Sequence, residues 1–206
     1  LSFIFRKADF KNGMQIPSKL QDLLLPSLKK KWIVQDPRAS SPGLQFFLFT
    51  DSILRIRDLR PQWVTLAPSW DSSYKMFLAH ESSMVWSYLS SIAYHASKGQ
   101  GADYGYVNFK EGLPIQIEGM ALLNKPGNPL KENPCIEKWI HFVLSREIQA
   151  KMVQTQWMMP VTEGVLLPQF FDSIKASPKM AVIDLSAEKV DQLLETFQKE
   201  VQRDAP

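Results

Sequence analysis

Cysteine is almost absent from this sequence. Its 206 residues contain one, Cys135, so no internal disulfide can hold the fold. That scarcity does not argue against export. Histidine is nearly as rare. His80, His95 and His141 share no paired spacing, and a zinc site would need three ligands besides the cysteine. No apolar run approaches the ~18 residues of a membrane span; the run from Phe46 to Phe49 is far too short. Charge of one sign is lacking too. Lys and Arg number 24 against 21 Asp and Glu, a formal net charge of +3, too mild for a nucleic-acid partner. Lys29-Lys30-Lys31 reads as a solvated helix end. There is no G-x-S-x-G, no H-E-x-x-H and no G-x-x-x-x-G-K, so motifs alone make a weak case for an enzyme. The chain opens Leu1-Ser2-Phe3-Ile4-Phe5 without Met or a basic-then-apolar leader. It is therefore expected to be a processed product or a piece of something longer.

What is present describes a globular protein of one or two domains. Apolar residues make up 45% and charged residues 22%, enough side chain to build a core. Leu1 to Phe5 reads as a strand. Ser18-x-x-Gln21 reads as a capping box opening a short helix that stops at Pro26. Trp32 to Val34 is a buried strand. Ser41-Pro42 starts a helix running to Ile56. Val64 to Leu66 is a strand, and Trp70-Asp71-Ser72-Ser73 opens another helix. Met84 to Leu89 and Ile115 to Met120 alternate as strands, the second continuing to Leu123, with Gly99 to Gly105 a loop between them. Asn128 to Asn133 is a turn-rich loop. Ile136, Trp139, Ile140, Val143 and Leu144 form a helical stripe opened by Asn133-Pro134. Ser145 and Ser186 cap two further helices. Strands alternating with helices give an α/β protein.

Two features carry possible chemistry. The junction Asp36 to Gly43 joins a strand to a capped helix start. Free amides and the helix dipole there suit an anion, Ser40 and Ser41 add hydroxyls, and Gly43 would let a ligand approach the backbone. The second feature is a set of aromatics at element ends: Trp70, Tyr88, Tyr94 and Trp157. In open α/β sheets ligands bind beyond the carboxyl ends of strands. Aromatic faces there can sandwich a flat ring or face a cation. The bland alternatives are a plain N-cap and rim aromatics with their polar tips in water.

These residues also carry a family likeness. Gln35-Asp36-Pro37-Arg38-Ala39-Ser40-Ser41-Pro42-Gly43-Leu44 resembles the D-P-R-x-S-x-P-G-L stretch of bacterial thiamine-binding proteins, the periplasmic substrate-binding components of thiamine ABC transporters. Val85-Trp86-Ser87-Tyr88-Leu89-Ser90-Ser91-Ile92-Ala93-Tyr94-His95 is similar to their V-x-S-Y-x-x-S-x-A-Y-H segment. Asn108 to Gly112, Gln116 to Gly119 and Gln156 to Val161 follow in the family's order. The likeness runs from Leu1 to about Phe171.

The resemblance implies a type II periplasmic binding clamshell, present as one complete lobe plus part of the second. Residues 1–95 would form the ligand-binding lobe with its hinge strands. Residues 96–206 would be a return segment and C-terminal helices completing part of the other lobe. It implies a periplasmic, non-enzymatic binder of thiamine or a thiamine phosphate, with no cofactor and no metal, serving an ABC transporter permease. Ser40, Ser41 and Gly43 would hold the phosphate end; Trp70, Tyr88, Tyr94 and Trp157 would surround the organic part. The chain is expected to be the C-terminal portion, paired with an N-terminal segment or a second copy of itself. Trp86 and Ile92 depart from the family pattern, which has a smaller aliphatic residue and often Pro there. Beside the tyrosines, they are expected to be able to change ligand identity. Alternatives are the same fold binding ferric iron, a polyamine or an oxyanion, a thiamine-pyrimidine-processing enzyme using Cys135, and a degenerate relative acting by protein interaction.

Overall fold

In a computed structural model the described residues are 1–11, 13–123, 134–174 and 178–202. They form a five-stranded mixed sheet in the order β3-β2-β4-β1-β5. The strands are β1 (Ser2–Arg6), β2 (Trp32–Gln35), β3 (Trp63–Ala67), β4 (Met84–Ser87) and β5 (Tyr104–Tyr106). β2 runs parallel to β3 and β4, and β1 is antiparallel to β4 and β5. Both faces are covered, so β1, β2 and β4 are buried along their whole length. This is why they read as short apolar runs.

Seven α-helices accompany them among the described residues: α1 (Ser41–Thr50), α2 (Ile56–Leu59), α3 (Trp70–Leu78), α4 (Ser90–Ser97), α5 (Pro134–Val143), α6 (Arg146–Thr155) and α7 (Ala187–Gln202). One sheet face presents Phe3, Phe5, Trp32, Val34, Met84 and Trp86 to α1, α2 and α7. The other presents Ile4, Ile33, Ala67 and Val85 to α3, α4 and the 3-10 turn Gln169–Ile174. Residues after position 95 thus join the same sheet and both of its covers.

Several expectations need correction. Ser18 and Lys19 do precede a short helix, but it is a 3-10 helix, Leu20–Leu24. Its cap is the Asp22 carboxylate, which accepts from the Ser18 and Lys19 amides at 2.8 and 3.1 Å, not Gln21. α1 has Ser40 as its N-cap and stops at Thr50, with Ile56 starting a separate turn. α4 occupies Ser90–Ser97, where no helix was expected.

Residues 115–119 form no strand; Ile117 is 78% exposed. The alternation is there, but the segment pairs with no strand of the sheet. The edge of β1 is taken instead by Tyr104–Tyr106, inside the expected loop. The α5 stripe forms, but Trp139 is 57% exposed and only Val143 is buried. The Asn128 to Asn133 loop lies outside the described residues.

Candidate functional site

The topology selects one place on the molecule. The crossover through α1 leads from β2 outward to β3; the crossover through α3 leads from β3 back past β2 to β4. The order of connection therefore reverses between β2 and β4, and the carboxyl ends of strands at such a point are where open α/β sheets take their ligands. Three helices begin at that edge: α1 after β2, α3 after β3 and α4 after β4. Their amino termini bring positive dipole ends to it.

Trp70 starts α3 behind the Ser69 cap, whose hydroxyl accepts from the Ser72 amide at 3.1 Å. Its indole is half-buried, donates from Nε1 to Ser87 Oγ at 2.8 Å and stacks on Tyr74 with centroids 5.2 Å apart. Tyr88 follows β4 and meets Trp70 at 5.7 Å. Tyr94, on α4 and 37% exposed, meets Trp157 edge-to-face at 5.3 Å. Trp157 follows α6 and is wedged against Phe170 and Phe171. Its backbone sits at φ +58°, in the left-handed region that costs a non-glycine residue about 1–2 kcal/mol. Its ring neighbours hold it there, and strain of this kind concentrates at functional sites.

The two aromatic pairs form one wall. Trp70 stacks on Tyr74, Tyr74 on His95 at 6.1 Å, and His95 meets Tyr94 at 5.5 Å. His95 also lies flat on Tyr104, centroids 3.6 Å apart. Burial pushes the Tyr74 phenol well above its ordinary value, so it stays neutral. Tyr88 is raised by burial and then by the negative charge of Glu118. Glu118 is exposed, and the sequence showed it only as one letter of a motif. Gln45 Nε2 to Gln116 Oε1, 3.5 Å, ties the same segment to α1.

The Asp36–Gly43 junction has a definite internal order. Asp36 accepts from the Arg38 amide at 2.9 Å and from its guanidinium at 2.6 Å, and the Arg38 hydrogen bond holds the carboxyl below its ordinary range. The Arg38 guanidinium lies 5.5 Å from the Phe197 ring centroid, linking the loop to α7. Ser40 is half-buried and Ser41 exposed, and the Ser40 hydroxyl does not cap α1.

Gly43 has a packing role at this junction. It is buried against the end of β2, and a Cβ there would overlap the Gln35 carbonyl oxygen and come within 2.8 Å of its carbon. Its missing side chain admits the protein's own backbone.

Trp86 and Ile92 also need correction. Both are buried, on opposite sheet faces, and neither lines the wall. Trp86 Nε1 donates to the Pro42 carbonyl at 2.9 Å, so its link to the site is the position of the α1 start. A cavity of about 350 Å³ lined by Arg6, Asp9, Lys30, His80 and Ser83 lies at the opposite, amino-terminal ends of β2 and β4, away from these residues. No group of three or more metal-ligating side chains occurs among the described residues. Cys135 is exposed at the start of α5.

With this geometry in hand, comparison with known proteins is informative. No family model matches the chain. The thiamine-binding periplasmic protein of Salmonella typhimurium is 33% identical over 181 residues, covering 84% of this chain and 52% of the relative. The Escherichia coli K12 protein of the same name is 30% identical, with the same coverage. The chain therefore spans about half the length of the curated relatives it matches. A solved periplasmic thiamin binding protein superimposes with a TM-score of 0.80 at 29% identity, covering 98% of this chain and 64% of that one. A periplasmic binding protein from Actinobacillus pleuropneumoniae, solved with fructose-6-phosphate bound, gives 0.77 at 20% identity, covering 98% and 66%. A Campylobacter jejuni ferric binding protein gives 0.66 at 13%, covering 97% and 67%. The last two show the fold alone, the type II periplasmic binding architecture.

Proposed function

We propose, for a chain homologous to the thiamine-binding periplasmic proteins and folded as a type II periplasmic binding protein, that it binds thiamine or a thiamine phosphate for an ABC importer in the periplasm, without chemistry of its own. The observation that carries this is the aromatic wall at the switch point: Trp70 and Tyr88 beside the ends of β3 and β4, and Tyr94 with Trp157 next to them. Thiamine joins a flat aminopyrimidine to a cationic thiazolium. Aromatic faces attract both, each cation contact being worth ~0.5–2 kcal/mol, and Glu118 beside Tyr88 suits the positive ring. The Ser40 and Ser41 hydroxyls at the α1 start suit a phosphate ester.

A ligand held by one wall needs a second. The relatives are about twice as long as the part matched here, and apolar residues of α5 and of residues 115–123 are exposed. A further segment of the parent protein or a second copy would supply that wall, and a permease would receive the ligand. Titration calorimetry with thiamine, its monophosphate and its diphosphate tests the reading. Heat with one or more of them supports it, and no heat with any contradicts it.

A further inference from the structure

Beneath the exposed rings lies a buried amide that the ligand reading does not use. Gln35 is the last residue of β2 and is fully buried. Its Nε2 donates to Ser73 Oγ at 2.7 Å and to the Trp86 carbonyl at 2.8 Å. Ser73, on α3, is buried too, and its hydroxyl donates to the Trp70 carbonyl at 2.7 Å. The residue after Trp86 is Ser87, whose Oγ accepts from Trp70 Nε1 at 2.8 Å.

Each of these bonds has one chemical sense. A carbonyl can only accept, so the Gln35 nitrogen, not its oxygen, faces Trp86. The Ser73 hydroxyl has a single proton; it gives that proton to Trp70 and accepts from Gln35. One amide therefore holds α3 through Ser73 and β4 through Trp86. Trp70 spans the two, with its carbonyl tied to Ser73 and its indole tied to Ser87.

Packing does not account for an amide at this place. Gln35 Oε1 is buried with no hydrogen-bond partner among the described residues, and a buried acceptor left unpaired is costly. An apolar side chain of the same length would avoid that cost, as Ile33 does two residues earlier on the same face of β2. What Gln35 supplies in return is its pair of donors.

We propose that Gln35 is a positioning residue for Trp70: its amide ties the start of α3 to the end of β4 and so fixes the indole face at the edge of the sheet. The proposal rests on the ligand reading only for what Trp70 grips.

Gln35→Met keeps the length of the side chain and removes both donors. The variant should unfold in urea close to wild type while the Trp70 indole loosens. Nuclear magnetic resonance of the 15N-labelled protein reads this without a ligand, as exchange of the Trp70 indole proton with water; the signal is identified by its loss in Trp70→Phe. Exchange should rise severalfold in Gln35→Met and in Ser73→Ala. The Trp32 indole, buried at the other end of β2, should keep its wild-type rate. An unchanged Trp70 rate in the folded variants overturns the proposal, and so does a rise that Trp32 shares, which would mean general loosening. Ser73→Ala decides if Gln35→Met does not fold. Affinity for thiamine should fall severalfold in Gln35→Met, but Gln35→Met should cost nothing further in Trp70→Ala, because it acts through the indole. An equal fall in both backgrounds, or no fall while the indole is loosened, overturns the proposal. A wild-type protein that binds no thiamine, with Trp70 loosened by Gln35→Met, upholds the positioning and overturns the ligand reading.

Discussion

Two sets of aromatic rings divide this molecule. On the α1 face of the sheet, Phe3 lies at the centre of Trp32, Phe46, Trp86 and Phe109, edge-to-face at 5.3 to 6.5 Å, all buried. At the carboxyl edge, Trp70, Tyr88, Tyr94 and Trp157 are as closely spaced but remain part exposed. The first set has no water to meet and supplies stability. The second keeps open faces, and Trp70 spends its polar tip on an ordered partner. Contact geometry does not separate them; exposure and position beyond the strand ends do.

Substitution should break the comparison cleanly. Trp86→Ala removes a large buried side chain and its bond to Pro42, and should cost about 3–5 kcal/mol in urea unfolding. A loss under 1 kcal/mol would show that the core rings are not the main support. Gly43→Ala should come next. Its Cβ meets backbone, not a movable side chain, so a loss of about 1–3 kcal/mol is expected. Wild-type stability in that variant would show that α1 is free to shift away from β2.

At the edge the effect should move from stability to affinity. Trp70→Ala and Trp157→Ala should each weaken thiamine binding by ~0.5–2 kcal/mol through lost ring contact. Unfolding should change less than for Trp86→Ala. Smaller still, Trp157→Gly should be more stable than Trp157→Ala by about 1 kcal/mol, because glycine adopts the left-handed backbone without cost. Equal stabilities would mean that the chain there relaxes once the indole is gone.

Acid should act in the same sense at His95. Its folded pKa is lowered by burial, so the unfolded chain takes up the proton first. Its contribution is intact above the unfolded histidine range and is lost as the pH falls toward the folded value. His95→Gln should flatten that part of the stability profile.

Much of this division was legible in the residues. Trp32–Val34 is buried on both faces, and its continuous apolar letters said so; Met84 to Leu89 reads as an alternating strand, and the strand that forms, Met84–Ser87, is shorter and buried on both faces. In the ring set at the edge, Trp70 opens a helix and Tyr88 follows a strand, which the residues showed; Trp157 follows α6, and Tyr94 lies within α4, a helix the residues did not show. What failed had non-local causes. Ile115 to Met120 alternates well, but pairing depends on how the chain meets a strand elsewhere, and it is β5 that lies along the edge of β1. β5 itself is only Tyr104-Gly105-Tyr106, and Gly105 is needed because a Cβ would come within 2.6 Å of the Phe5 ring. α4 begins Ser90-Ser91 with no apolar stripe, since it shows Ile92 and Ala93 to the core and buries His95. Gly43 was correctly picked out, but a missing side chain does not reveal whether backbone or ligand fills the space.

The central claim is that the edge rings are a thiamine site. Calorimetry on the protein as its source cell produces it tests this most directly, with thiamine titrated into wild type and into Trp157→Ala. The account predicts saturable heat in the wild type and a weaker affinity in a variant that unfolds like it. No heat from thiamine or either phosphate in the folded wild-type protein would contradict it.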